Sequence, residues 1–287
     1  MAHPLTPELR DWLLDTDVAL RWQVERDLVE APQEVWESTR ARVATEGFGA
    51  ELLAHQDPDG QWAGGAFFPR GFDFDGPEAA AGAGQPWTAT TWSLNALREW
   101  GLDSMVLDGT AAGLAANSRW EYNDGPYWEG EVDCCINAST LNSLKGILYD
   151  EAATGGSDEL NAARHGGEEY LLQRRLLKSL TTGEILGPRM TRLVYPFRSF
   201  YSALNAADYF RSASLFDGTP PDPRLSDAIE SVRVACQPDG TWLQERRHPG
   251  RVWFEVDVEA GKPSPWLTFC ATRVLAWWDA SSAMPSP

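Results

Sequence analysis

The sequence contains one short turn motif twice, and this repeat constrains the fold more than any other feature. The first copy is Gln56–Trp62 (QDPDGQW) and the second is Gln237–Trp242 (QPDGTW). An apolar helical pattern precedes each copy, and a Pro-Trp pair follows 25 residues later at Trp87 and 24 residues later at Trp266. Units of helix, turn and helix that recur in this way indicate helical hairpins that stack around a shared core.

The residue types in the motif suit the end of a helix. Glycine accepts the left-handed backbone that often follows a helix, and a glutamine amide can bond the backbone groups left unpaired there. We therefore expect Gln56 and Gln237 to bond to backbone, and Trp62 and Trp242 to be buried over them. The alternative is that one of these tryptophans lines a ligand site.

Apolar periodicity predicts that the chain is almost wholly helical. Proline at a first helical position marks several helix starts, including Pro7, Pro223 and Pro265. The predicted helices lie near residues 6–14, 17–30, 33–45, 47–55, 87–100, 103–117, 134–153, 158–174, 196–212, 222–236 and 265–280.

Two long segments lie outside these helices, at residues 57–86 and 237–264. Connections of this length in a compact domain are typical of a lid or a binding surface. Within the second segment, Val252, Phe254, Val256 and Val258 occupy alternate positions ahead of a Gly-Lys-Pro turn, which predicts one short β-hairpin.

Composition and charge exclude several classes of protein. The chain has 42 acidic against 24 basic side chains and a formal charge of −18, which opposes binding to nucleic acid. No secretory signal is evident at the N-terminus, and the longest uncharged stretch, residues 79–97, contains Gly, Pro, Gln and Thr and is not expected to cross a membrane. We expect a cytoplasmic chain without a transmembrane segment. Peripheral membrane contact and the oligomeric state stay open.

The two turn motifs, each followed by a Pro-Trp helix start, resemble the QW repeats of squalene-hopene cyclases and related terpenoid cyclases. That family shares an α/α toroid with the protein prenyltransferase β subunits. The resemblance implies an all-α chain whose residues 1–287 form a single toroid domain, with the helices of residues 1–45 packed on it. Whether the toroid is closed or incomplete is left open, because the helix of Leu141 and Leu144 starts without a third turn of this kind.

The resemblance also implies an acid that protonates an alkene and aromatic faces that stabilise cationic carbons. The family presents the acid in an Asp-x-Asp-Asp motif, and the nearest match here is Glu131-Val132-Asp133-Cys134. Asp133 and Glu131 are therefore the candidate catalytic residues. The alternative for Asp133 is a cap on the helix that follows it. The candidate substrate-binding residues are Trp87, Trp120, Trp128, Trp253, Trp266 and Phe74.

No cofactor is predicted, and a metal site is only an alternative. The spacing of Asp133 and Cys135 resembles that of two zinc ligands in protein prenyltransferase β subunits, and His165 or His248 would be the third ligand. In the other interpretation, Cys135 is a small apolar residue that packs at a helix start.

Three functions remain open at this point. The first is a terpenoid-cyclase-like protein that binds a linear isoprenoid, an apolar small molecule, and cyclises it by protonation if it is active. The second is a carbohydrate-active α/α barrel, in which tryptophans stack on sugars and two carboxylates such as Asp133 and Asp73 act as a pair. The third is a binding scaffold that kept the toroid without the chemistry. Whether the chain is an enzyme is left open.

Overall fold

The computed structural model describes residues 5–107, 109–119, 121, 136–198 and 200–282. These residues form eleven α-helices and no β-strand, which confirms the all-α class. The helices are α1 (Pro7–Leu14), α2 (Val18–Asp27), α3 (Gln33–Ala41), α4 (Gly47–Leu53), α5 (Thr90–Glu99), α6 (Thr110–Asn117), α7 (Ile136–Thr154), α8 (Asp158–Gln173), α9 (Ala203–Asp217), α10 (Ser226–Val234) and α11 (Pro265–Ser282).

The chain divides into two compact units, each of which contains one copy of the turn motif. The N-terminal unit consists of Arg10–Glu131 and Arg247–Val258. The C-terminal unit consists of Met1–Leu9, Val132–Arg246 and Glu259–Pro287. The single toroid domain expected from the sequence stays a prediction.

In the N-terminal unit, α2 is buried along most of its length and packs against α3 and α4. Its Trp22 lies in the core, where the indole Nε1 donates to the carbonyl oxygen of Trp100 at 2.8 Å. Gly101 has a positive φ of 83°, and a Cβ there would lie 2.3 Å from the Trp22 ring. The end of α5 can therefore approach α2 only with glycine at this position.

In the C-terminal unit, α9 is the central helix. Almost every residue from Ala203 to Ser214 is buried, and α9 contacts α7, α10 and α11. None of the helices in the described residues combines the length and apolar character that a membrane span requires.

Most helices form close to their predicted positions, but the predicted helix 196–212 is displaced along the chain. It begins at Ala203 because Ser202 is its N-cap, with a hydroxyl that accepts from the backbone N–H of Asn205 at 3.3 Å. It continues to Asp217, where Gly218 follows in a left-handed conformation. Ser202, and not the earlier Pro196, provides the start of this helix.

The β-hairpin predicted over residues 252–258 is wrong, since these residues lie outside any strand. The Trp253 indole instead donates to the carbonyl oxygen of Thr88 at 3.1 Å. The Phe254 ring stacks on Phe48, with centroids 5.7 Å apart, and also contacts Trp100. Trp253 and Phe254 are thus held by contacts within the N-terminal unit and not by strand pairing.

The tryptophans of the two turn motifs make the same hydrogen bond in the two units. Trp62 Nε1 donates to the carbonyl oxygen of Leu52, and Trp242 Nε1 donates to that of Val232, both at 2.8 Å and both ten residues earlier in the chain. The two indole rings are buried, with 0% and 2% of their residues' surface exposed. The motif therefore ties each tryptophan to the helix that precedes it, as the structural interpretation predicts.

Each motif is also tied to the helix that follows it. The backbone N–H of Trp62 donates to Thr90 Oγ1 at 3.0 Å, and the backbone N–H of Trp242 donates to Thr268 Oγ1 at 3.0 Å. Both threonines are fully buried and lie in the first turns of α5 and α11. The same threonine bond recurs although the intervening loops differ in length. We call the indole and threonine bonds together the tryptophan brace.

When the two motifs are aligned on their tryptophans, Gln56 and Gln237 are not at equivalent positions. The backbone N–H of Asp57 donates to the Gln61 carbonyl, and that of Gln237 donates to the Thr241 carbonyl, both at 2.8 Å. Asp57 is therefore the equivalent of Gln237. Gln56 and Gln237 do bond to backbone as expected, since each side-chain amide donates to a carbonyl oxygen at 3.1 Å.

Replacing the buried indole should destabilise the protein. We expect Trp62→Ala and Trp242→Ala each to lower the free energy of unfolding by about 3–5 kcal/mol, because a large ring is removed from a packed core. Urea denaturation followed by circular dichroism measures the change. Val234→Ala is the control, because Val234 is 73% exposed and should leave the denaturation midpoint unchanged. Equal midpoints for Trp62→Ala and Val234→Ala would contradict the brace.

The aspartate of the second motif should contribute to acid sensitivity. The hydroxyl and backbone N–H of Thr241 bond to Asp239 and lower the pKa of that carboxyl below its usual 3.8. The folded state therefore binds this proton less tightly than the unfolded state, so the stabilisation is present above the unfolded pKa and is lost as pH falls through the folded pKa. In Asp239→Asn, denaturation midpoints measured from about pH 5 to pH 2 should fall less steeply than in the wild type. Parallel curves would contradict this assignment.

Candidate ligand-binding site in the N-terminal unit

Two separate segments of the N-terminal unit come together beside the first turn motif. The backbone N–H of Trp87 donates to the carbonyl oxygen of Arg251 at 2.7 Å, and its indole Nε1 donates to that of Pro249 at 2.9 Å. Gly84 has a positive φ of 81°, and a Cβ there would lie 2.2 Å from the Pro249 oxygen. Residues 84–87 and 249–251 are therefore held in direct backbone contact.

The carbonyl oxygen of Phe67 joins the loop after the motif to this contact. It accepts hydrogen bonds from Gln85 Nε2 and from Trp92 Nε1, both at 2.9 Å. The Trp92 ring meets the rings of Phe67 and Trp87 edge to face, with centroids 5.6 and 4.9 Å away. The tryptophans at this site therefore support the loop, and their indole N–H groups are used for backbone bonds.

A single carboxylate oxygen anchors the same loop. Glu121 Oε1 accepts from the consecutive backbone N–H groups of Ala66, Phe67 and Phe68 at 2.6, 3.0 and 3.1 Å. Successive amides that point to one oxygen form an anion-binding nest. A Cβ on Gly65 would lie 1.9 Å from the Phe68 carbonyl oxygen, so the tight turn of the nest requires glycine. The second oxygen, Glu121 Oε2, is buried and has no hydrogen-bond partner among the residues that the structure describes.

Three phenylalanine rings extend from this anchored loop. Phe68, Phe72 and Phe74 contact one another with ring centroids 4.9 to 5.0 Å apart, and Phe74 is 46% exposed. We call these three residues the phenylalanine cluster. It offers an apolar, aromatic surface that begins at the backbone of residues 66–68, which Glu121 anchors, and such a surface suits an apolar ligand.

The described tryptophans predicted to bind substrate have their rings engaged within the protein. Trp87 is buried, and Trp253 stacks on His55 with centroids 4.1 Å apart. Trp266 lies in the C-terminal unit, where it is buried and stacks on Tyr195 at 4.5 Å. Of the predicted aromatic residues that the structure describes, Phe74 is the one with an exposed ring.

Other predicted residues lie outside the described part of the chain: Glu131, Asp133, Cys135, Trp120 and Trp128. The alternative zinc ligand His165 is described, and its Nδ1 lies 2.8 Å from Glu168 Oε2 in the C-terminal unit. Glu121 was not predicted from the sequence. Its partners are 53 to 55 residues away, and no local pattern distinguishes it from the many other acidic residues.

Comparison with protein-family models, with curated proteins and with solved structures finds no match to this chain.

Removing the Glu121 carboxylate should release the loop. Glu121→Ala leaves three backbone N–H groups without their acceptor, so we expect faster amide hydrogen exchange at residues 66–68. We also expect a loss of about 1–3 kcal/mol in the free energy of unfolding. Glu51→Ala is the control, because Glu51 is an exposed acid in α4 of the same unit. Unchanged exchange at residues 66–68 in Glu121→Ala would contradict the anchoring role.

Proposed function

We propose that this chain is a terpenoid-cyclase-like helical repeat protein, and that a linear isoprenoid binds on the phenylalanine cluster of its N-terminal unit. The resemblance of the two turn motifs to QW repeats supports the family, and the identical bonds of the two tryptophan braces support a genuine internal repeat. The observation that carries the ligand assignment is the exposed aromatic surface around Phe74.

The burial of the described tryptophans favours a hydrocarbon ligand over a carbohydrate. Sugar binding by an α/α barrel depends on accessible aromatic faces, most often of tryptophan, with polar groups that fix the hydroxyls. In the described residues every tryptophan is buried or half-buried. Six of their indole N–H groups donate to backbone carbonyls, at Trp22, Trp62, Trp87, Trp92, Trp242 and Trp253. The rings of the phenylalanine cluster carry no hydrogen-bonding group, which suits hydrocarbon chains.

Within this proposal the roles of the acids differ. Asp133 is the candidate proton donor to a terminal double bond of the isoprenoid, with Glu131 beside it in the chain. Aromatic faces would stabilise the resulting positive charge through cation–π attraction. Glu121 is a positioning residue, because its Oε1 holds the backbone of residues 66–68, where the cluster begins.

Isoprenoid binding should depend on the cluster. We expect Phe74→Ala to weaken binding of a fluorescent farnesyl analogue by roughly 10- to 100-fold, since burying a phenyl side chain contributes about 1.5–3 kcal/mol. Phe216→Ala is a matched control, because Phe216 is 49% exposed and lies in the C-terminal unit. Fluorescence anisotropy measures the affinities, with maltotriose as a competitor. Equal loss in both variants, or competition by maltotriose, would contradict the proposal.

Turnover should depend on Asp133. Incubation with squalene and with shorter linear isoprenoids, followed by gas chromatography and mass spectrometry, should yield a cyclic product from the wild type and none from Asp133→Asn. Equal product from both proteins would remove Asp133 from the mechanism. If neither forms product while the farnesyl analogue still binds through Phe74, the protein is a binding scaffold.

A further inference from the structure

A histidine and two carboxylates come together in the C-terminal unit, and none of the three has a role in the proposed function. His165 and Glu168 lie three residues apart on α8, and Asp217 is the last residue of α9. One donor atom from each of the three lies within 4.8 Å of the donor atoms of the other two. One imidazole and two carboxylates form a ligand set that zinc and related divalent ions accept.

The charges beside these three residues are unbalanced. Arg164 has a side chain with no exposed surface, and its Nε lies 2.6 Å from Glu151 Oε2, on a carboxylate that is itself buried. Its two terminal nitrogens bond to Asp217 at 2.9 and 2.7 Å, and one of them also bonds to Glu168. Arg164 therefore pairs with all three of these carboxylates.

One arginine charge against three carboxylates leaves two negative charges. The Arg164 guanidinium contacts all three carboxylates and balances one of their charges, so the two remaining charges are shared among Glu151, Glu168 and Asp217. A divalent cation with a neutral His165 would balance this charge. Groups with uncompensated charge near a protein interior are costly, so the balance gives a physical reason for an ion at this place.

The ligand atoms are already held by neighbouring side chains. The Tyr209 hydroxyl donates to Glu168 Oε1 at 2.6 Å, and Arg164 bonds to the same oxygen. This leaves Glu168 Oε2 directed at His165 Nδ1, 2.8 Å away. In metal centres, carboxylate ligands are usually oriented by hydrogen bonds from neighbouring side chains that do not themselves bind the metal.

The partial exposure of the same three residues would let an ion reach them from solvent. The side chains of His165 and Asp217 are 50% and 21% exposed, whereas that of Glu168 is 11% exposed. An ion would enter from the solvent side and keep one position for water, the arrangement of an open zinc site with three protein ligands. Ion binding would require the imidazole, which is half exposed, to turn so that Nδ1 lies further from Glu168 Oε2 than the present 2.8 Å.

We propose that His165, Glu168 and Asp217 bind a divalent ion of the zinc class in the C-terminal unit, with Tyr209 and Arg164 as positioning residues. This site differs from the Asp133, Cys135 and His165 set that the resemblance to prenyltransferase subunits implies, because its other two ligands are carboxylates. It is independent of isoprenoid binding in the N-terminal unit.

Metal titration of the purified full chain tests the site. After removal of metal with a chelator, isothermal titration with Zn²⁺ should show one ion bound per chain. His165→Ala and Asp217→Asn should each weaken binding at least 100-fold, and Tyr209→Phe by roughly 10- to 100-fold, as losses of outer-layer partners do. His55→Ala is the matched control, because His55 is stacked on Trp253 in the N-terminal unit and should leave binding unchanged.

Cobalt substitution distinguishes the two ligand sets. Co²⁺ on an imidazole and two carboxylates should give visible absorption without the near-ultraviolet charge-transfer bands of a cobalt thiolate. Thiolate bands, wild-type Zn²⁺ affinity in both His165→Ala and Asp217→Asn, or Ca²⁺ binding as tight as Zn²⁺ binding would each overturn the proposal. Circular dichroism of the metal-free variants verifies that any loss of binding occurs in folded protein.

Discussion

The bond between the Trp62 backbone and the Thr90 hydroxyl is the constraint on which the described N-terminal site depends. Thr90 Oγ1 accepts from the Trp62 N–H and donates to the carbonyl oxygen of Gly65 at 2.6 Å. The first amides of α5 continue the connection, since those of Thr90 and Thr91 donate to the carbonyls of Gly65 and Ala66. The exit of one helix, the turn and the start of the next helix thus form one hydrogen-bonded unit.

The position of the phenylalanine cluster follows from this arrangement. The carbonyl groups of Gly65 and Ala66 face the start of α5, while the N–H groups of residues 66–68 face Glu121. The backbone before the cluster is therefore bonded on both sides, and few of its polar groups are left for water. Because the backbone of such a loop is fixed before a ligand binds, the apolar rings that it carries form a preorganised binding surface.

Local features of the sequence were sufficient for the helices and the turn motifs, but not for the contacts between distant residues. Apolar periodicity and helix caps act within a few residues, so most helix positions were predictable. The displacement of α9 follows from its N-cap, Ser202, which apolar periodicity alone does not locate. The anchoring of residues 66–68 by Glu121 and the pairing of Arg164 with Asp217 join residues more than 50 positions apart, and nothing in their immediate sequence indicates these partners.

The two copies of the motif share the brace but differ in what their loops contain, and this difference supports a ligand site in the first copy. After Trp242, the Gln244 side chain bonds both the N–H and the carbonyl of Tyr195, and Leu243 forms a bridge with Pro263. These bonds close the second loop with polar and backbone contacts. After Trp62, Glu121 anchors the loop through the backbone N–H groups of residues 66–68, and the phenylalanine cluster follows. The same brace therefore supports a structural connection in one unit and a candidate binding surface in the other. Two copies of a repeat can differ in this way because binding residues are usually found on the loops, which the shared hairpin supports.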